Sequence, residues 1–165
     1  MVALAALNAM GRREFVGALG DVFEHAPWVA EGAYPARPFA SIAALHRAML
    51  SVLDRAGRER ILAFLNGHPD LGGRVATDAS AREQAGAGLG ALSPEEAVRL
   101  AEWNRLYRAR FGFPFILCAA RHDRASILAA FERRLAGDPA AEHATALAEI
   151  AAITALRLAA RVEDR

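Results

Sequence analysis

The stretch "SPEEAVRLAEWNRLYRARFG", Ser93 to Gly112, reads as one helix with both of its ends written into it. Ser93 and Glu96 stand at the spacing where a hydroxyl accepts from the fourth residue's amide and that residue's carboxylate reaches back. Pro94 fills the first helical position, where a missing N–H costs nothing, and Gly112 offers the left-handed conformation that closes a helix. The pattern predicts a helix running to about Arg110. Outward from it the same helical period recurs. Ile42, Leu45, Met49, Val52 and Leu53 form one stripe behind Ser41. "RASILAAFERRLAG" predicts a helix ending at Gly137, and "DPAAEH" opens a last helix from Pro139 to about Arg161 with Asp138 as its cap. "FPFILCAA" is the one β-like run, and "YPARP", "GHPDLGG" and "GFPF" read as loops. The expected fold is all-α, a single domain over residues 1–165 of about seven or eight helices.

Composition narrows the function. With 165 residues, 54% of them hydrophobic, the chain can build a sizeable core. Its 20 basic and 19 acidic residues are dispersed, with no basic stripe for nucleic acid. No apolar run approaches the roughly 18 residues of a spanning helix, and "MVALAALNAMGRREF" lacks the pattern of an export leader. Neither nucleic acid nor membrane is an expected partner. The lone Cys118 suits a reducing compartment, and a cytoplasmic protein is expected. Every basic residue is arginine. Without lysine the chain has no side-chain amine for the Schiff bases of pyridoxal enzymes and of many aldolases and decarboxylases. Nor do His25, His46, His68, His122 and His143 show the spacing of a zinc or iron site, so no metal is expected.

Four features could carry chemistry. His68 precedes Pro69, which biases it away from helix, so the preceding helix must end and His68 sits on a loop, either structural or proton-moving. "SAREQ" admits a capping box between Ser80 and Glu83; Ser80 and Gln84 also share a face on which a hydroxyl and an amide could meet a polar ligand. Leu147, Ile150 and Thr154 form a stripe that Arg157 continues, turning a guanidinium inward. Such a group needs a protein carboxylate or a ligand anion. "RFGFPFI" is either a packed turn or an apolar pocket wall offering main-chain amides and carbonyls.

In this order "LGDVFEHAPWVAE" (Leu19 to Glu31), "HPDLG" (His68 to Gly72), "SAREQAGAGL" (Ser80 to Leu89), "WNRLYRARFGFPFILC" (Trp103 to Cys118) and "EIAAITALRL" (Glu149 to Leu158) resemble the OHCU decarboxylase family. Those enzymes act on 2-oxo-4-hydroxy-4-carboxy-5-ureidoimidazoline, the last step from urate to (S)-allantoin. The resemblance implies a fold of packed helices, a homodimer and a reaction without cofactor. Residue by residue, it implies that His68 transfers a proton, with Glu83 as second acid/base or as the group tuning the histidine. It gives Ser80 and Gln84 the ureido and ring amides, and Arg157 an anionic or carbonyl oxygen. Pro69 and Phe115, Ile116, Leu117, Cys118 and Ala119 would line the ring pocket. All four of His68, Glu83, Gln84 and Arg157 are then expected at one pocket. His25 and Trp28 read as residues that either support the site from behind or pack. The chain departs from the family pattern in a shorter connection between "HPDLG" and "SAREQ" and in "CAARHDR" after the pocket wall. Competing expectations are a decarboxylase of a related small ureido or imidazole acid, and a non-catalytic helical interaction module.

Overall fold

The computed structural model describes residues 1–73 and 77–164. Among them lie nine α-helices: α1 (Leu4–Ala9), α2 (Arg12–Leu19), α3 (Pro27–Ala33), α4 (Ile42–Asp54), α5 (Arg58–Asn66), α6 (Asp78–Gly86), α7 (Pro94–Phe111), α8 (Arg124–Leu135) and α9 (Pro139–Ala159). The all-α expectation holds. The count exceeds it because the chain breaks at Met10–Gly11 and again between Leu19 and Pro27, leaving three short helices at the start. One small parallel pair was not expected: β1 (Val2–Ala3) lies beside β2 (Val162–Glu163).

Local chemistry accounts for the helix ends. In α7 the Ser93 hydroxyl accepts from Glu96 N–H at 3.2 Å, and Glu96 accepts from Ser93 N–H at 2.8 Å. Gly112 closes the helix with φ +80°. Ser41 caps α4 through Ala44 N–H, and the stripe behind it buries Leu45, Met49 and Leu53. Each such side chain contributes roughly 1.5–3 kcal/mol by leaving water. Helix α3 packs on α4 so closely that a Cβ at Gly32 would stand 2.7 Å from Val52 Cγ1. The β-like run does not become a strand. Phe113–Cys118 is irregular and buried, and leads into a 3₁₀ turn at Ala119–Arg121. Pro114 withholds a donor, and the neighbouring main-chain groups bond to side chains instead of to a second strand.

Contacts divide the chain into two compact units, Met1–Phe64 with Ala151–Arg165, and Leu65–Ile150; the division falls inside α5 and α9. In the first unit Phe15, Leu45, Met49 and Leu158 are fully buried. The Arg37 guanidinium lies 3.6 Å from the Tyr34 ring centroid and donates to the carbonyls of Asn8 and Met10. In the second unit Tyr107, Phe115 and Phe131 form an aromatic core, with Phe115 and Phe131 stacked at 4.0 Å. A buried polar cluster is embedded there. Arg134 Nε donates to Glu142 Oε1 at 2.8 Å, the Tyr107 hydroxyl donates to the same oxygen, and Arg134 Nη1 donates to the Ile116 carbonyl at 2.9 Å. Burial and the Glu142 carboxylate push the Tyr107 phenol well above its ordinary pKa, so it remains the donor.

Candidate active site

The loop that carries His68 is clasped at both ends. Helix α5 stops at Asn66, whose Nδ2 donates to the Gly112 carbonyl at 2.9 Å while Arg108 Nη1 donates to its Oδ1 at 3.1 Å. Beyond the histidine, Arg108 Nε donates to Asp70 Oδ1 at 2.8 Å, and Asn104 Nδ2 donates to the Leu71 carbonyl at 2.9 Å. The Arg108–Asp70 pair is more than a third exposed on both sides, so it orients the loop more than it stabilises the fold. Between these anchors His68 and Pro69 are half-buried, and His68 N–H donates to the Leu65 carbonyl at 3.1 Å. His68 therefore sits on a loop, as its proline predicts, but on one that α7 holds in place.

Gly72 ends the clasp. Its φ of +69° suits glycine, and a Cβ there would stand 2.5 Å from Leu100 Cδ2. Its N–H donates to Gln84 Oε1 at 2.8 Å, which fastens the histidine loop to α6. The shorter connection between these two segments contains Arg74, Val75 and Ala76, which lie outside the described residues.

Helix α6 starts earlier than the Ser80–Glu83 capping box would have it. Thr77, extended at φ −120°, is the cap, its hydroxyl accepting from Ser80 N–H at 3.3 Å. Ser80 lies inside the helix and is buried, which corrects the reading of it as the cap. Being helical, Ser80, Glu83 and Gln84 share one face. Helix α6 packs against the Ala119–Arg121 turn, and Glu83 is near enough to Cys118 to bear on its thiol. Burial chiefly, then the charges of Glu149 and Glu83, hold that thiol above its ordinary pKa, opposed by Arg121. A protonated, buried thiol is a poor nucleophile.

Phe115, Ile116, Leu117, Cys118 and Ala119 are all buried. Besides Arg134 at the Ile116 carbonyl, Glu149 Oε2 accepts from Cys118 N–H at 2.8 Å. Glu149 stood in the "EIAAITALRL" motif without a role, and its partner is 31 positions away, so helical periodicity carries no signal of the pairing. The second unit thus brings together the His68 loop, the Ser80–Glu83–Gln84 face and the 115–119 segment.

Arg157 belongs to the first unit. It is turned inward as its stripe predicts, and of the two partners open to it the structure supplies a carboxylate: Nη1 donates to Glu24 Oε2 at 2.9 Å and to the Val22 carbonyl at 3.3 Å. Both members of the ion pair are buried, so the guanidinium is held in one orientation. Trp28 packs as expected, edge-on to Phe64 with the Arg60 guanidinium 4.1 Å from its ring. His25 does not. It is exposed, with a left-handed backbone at φ +50°. Among the described residues no cluster of three or more His, Cys, Asp or Glu could hold a metal ion, and no helix is long and apolar enough to cross a membrane.

Comparison with known proteins defines the class as a carboxy-lyase. The family model of OHCU decarboxylase matches residues 8–159. The 2-oxo-4-hydroxy-4-carboxy-5-ureidoimidazoline decarboxylase of Haloferax volcanii is 43% identical over 159 residues, covering 96% of this chain and 95% of the relative. The crystal structure of OHCU decarboxylase in the presence of (S)-allantoin superposes with a TM-score of 0.68 at 27% identity, covering 92% of this chain and 97% of the other. That of (S)-allantoin synthase gives a TM-score of 0.78 at 26% identity; the match covers 98% of this chain and 54% of the other. This chain belongs to the OHCU decarboxylase family.

Proposed function

We propose that this chain removes the carboxylate of 2-oxo-4-hydroxy-4-carboxy-5-ureidoimidazoline and yields (S)-allantoin in urate degradation, with no metal or organic cofactor. The observation that carries the reading is the Gly72–Gln84 bond, which joins the His68 loop to the helix of Ser80 and Glu83 within a chain of this family. The substrate supplies its own electron sink. As the bond to the carboxylate breaks, its electron pair forms a double bond to the ureido-bearing carbon, and the adjacent C=N pair moves onto the ring nitrogen, which takes up a proton from solvent and becomes N–H. Carbon dioxide leaves, the hydroxyl loses its proton as it becomes the ring carbonyl, and the ureido-bearing carbon gains one.

The protein's task is then orientation and proton transfer. His68 is the proton-transfer group and Glu83 the second acid/base, or the group that tunes the histidine. Ser80 and Gln84 bind the ureido and ring amides. With its carbonyl oxygen engaged by Gly72, Gln84 is oriented so that its NH₂ is the end left for an acceptor. Pro69 and residues 115–119 form the ring pocket. Arg157, whose Nη1 is paired with Glu24, holds an anionic or carbonyl oxygen of the substrate. A homodimer in the cytoplasm completes the proposal.

The test is to supply substrate freshly made by urate oxidation and hydrolysis and to follow optical rotation. Spontaneous decay gives racemic allantoin; the reading expects accelerated formation of the S enantiomer. Racemic product at the uncatalysed rate would sink it and favour a related ureido acid or a non-catalytic role.

A further inference from the structure

Buried main-chain groups are nearly always hydrogen-bonded, so it matters where those of the 115–119 segment go. Two are held by charged side chains: the Ile116 carbonyl by Arg134 at 2.9 Å, and the Cys118 N–H by Glu149 at 2.8 Å. Arg134 is fixed in turn by Glu142, and Glu142 receives the Tyr107 hydroxyl. The Cys118 carbonyl accepts from Arg121 N–H, which ends the segment in the 3₁₀ turn. Leu117, between the two held groups, is only 5% exposed, yet no described residue donates to its carbonyl or accepts from its N–H. A donor and an acceptor left open on one buried residue match the edge of a cyclic amide.

We infer that Glu149 is a positioning residue: by accepting from Cys118 N–H it sets the segment so that the main chain of Leu117 stays open to the ligand. The inference rests on the proposed reaction and extends it to a group that no motif role had reached. Glu149 acts through Cys118 and does not touch substrate. What the tether requires is an acceptor at this reach, since Glu149 Oε2 meets Cys118 N–H in a single contact at 2.8 Å. Since the wall meets the substrate before and during reaction alike, losing the tether acts on binding in both states.

The experiment compares Glu149→Ala, Glu149→Asp and Glu149→Gln. The amide of Gln keeps an acceptor at the same reach, whereas Asp keeps the charge but is one methylene short. By hydrogen exchange, the Cys118 amide is expected to be slow in the parent and in Glu149→Gln. In Glu149→Ala and Glu149→Asp it should exchange at least about tenfold faster. KM is expected to rise about tenfold in the same two variants, with kcat within about threefold of the parent, and to stay near the parent value in Glu149→Gln. If Glu149→Ala does not fold, the Asp and Gln pair decides. Fast exchange with an unchanged KM would reduce the bond to a structural one. Equal losses in Gln and Ala would mean that charge, not acceptance, is what counts; either result overturns the inference. A parent without activity would overturn the proposed reaction itself, a different outcome from an active parent whose Glu149 variants behave like it.

Discussion

The side-chain carbonyl of Gln84 accepts from the main-chain N–H of Gly72 at 2.8 Å, and through it the loop that carries His68 is tied to the helix that carries Glu83. In the proposed site that one amide has two tasks, holding the loop with its oxygen and offering its nitrogen to the substrate. Gln84→Glu separates them. It keeps an oxygen for Gly72, so stability should change by less than about 1 kcal/mol. It removes the NH₂ donor and adds a charge, so KM should rise by roughly tenfold or more. Parallel melting curves and initial rates check this; a normal KM would take Gln84 out of substrate recognition.

Gly72→Ala should be costly in a different way. The left-handed φ and the 2.5 Å approach to Leu100 act together, and strain of this kind amounts to roughly 1–3 kcal/mol. A lower Tm with reduced activity is expected, and Leu100→Ala in the same chain should restore part of the activity by making room. Urea unfolding of the single and double variants would show whether the two sites are coupled.

The Arg134–Glu142 pair predicts a larger loss. Glu142→Ala leaves a buried guanidinium without its carboxylate, which costs about 3–5 kcal/mol, whereas Tyr107→Phe removes one donor and should cost about 1–3 kcal/mol. Chemical denaturation ranks the two. A Glu142→Ala protein as stable as Tyr107→Phe would mean that the guanidinium finds water.

His46 gives a pH dependence. Its Nε2 lies 2.9 Å from Thr154 Oγ1, and burial holds its pKa below the ordinary 6.5. The unfolded chain then binds the proton more readily than the folded one, so stability is full above about pH 6.5 and is lost as pH falls through the lowered pKa. His46→Gln should flatten the fall in Tm across that window. An unchanged slope would assign the acid sensitivity to other groups.

Much of the fold was legible because its signals are local. Ser93, Pro94, Glu96 and Gly112 mark α7 within one stretch, and the Ser41 stripe marks α4. The His68 loop was legible from Pro69 alone. What the sequence hid depends on partners distant along the chain. Thr77 displaces Ser80 as the cap because the helix starts one turn earlier than "SAREQ" suggests. The inward Arg157 announced its need for an anion, but Glu24 lies 133 positions away. Glu149, Glu142 and Arg134 look like ordinary charges of solvated helix faces until Cys118, Tyr107 and Ile116 are placed against them.

The most direct test is the stereochemistry of the product formed by His68→Asn. His68 lies on a half-buried loop and off the core stripes, so the substitution should leave thermal unfolding within roughly 1 kcal/mol of the parent. A general acid/base group contributes about 10² to 10⁴ in rate, so kcat should fall by that order with binding largely kept. Racemic allantoin from spontaneous decay should then replace the S enantiomer in the optical rotation of the same preparation. A variant that unfolds like the parent and still makes (S)-allantoin at the parent's rate would contradict the account.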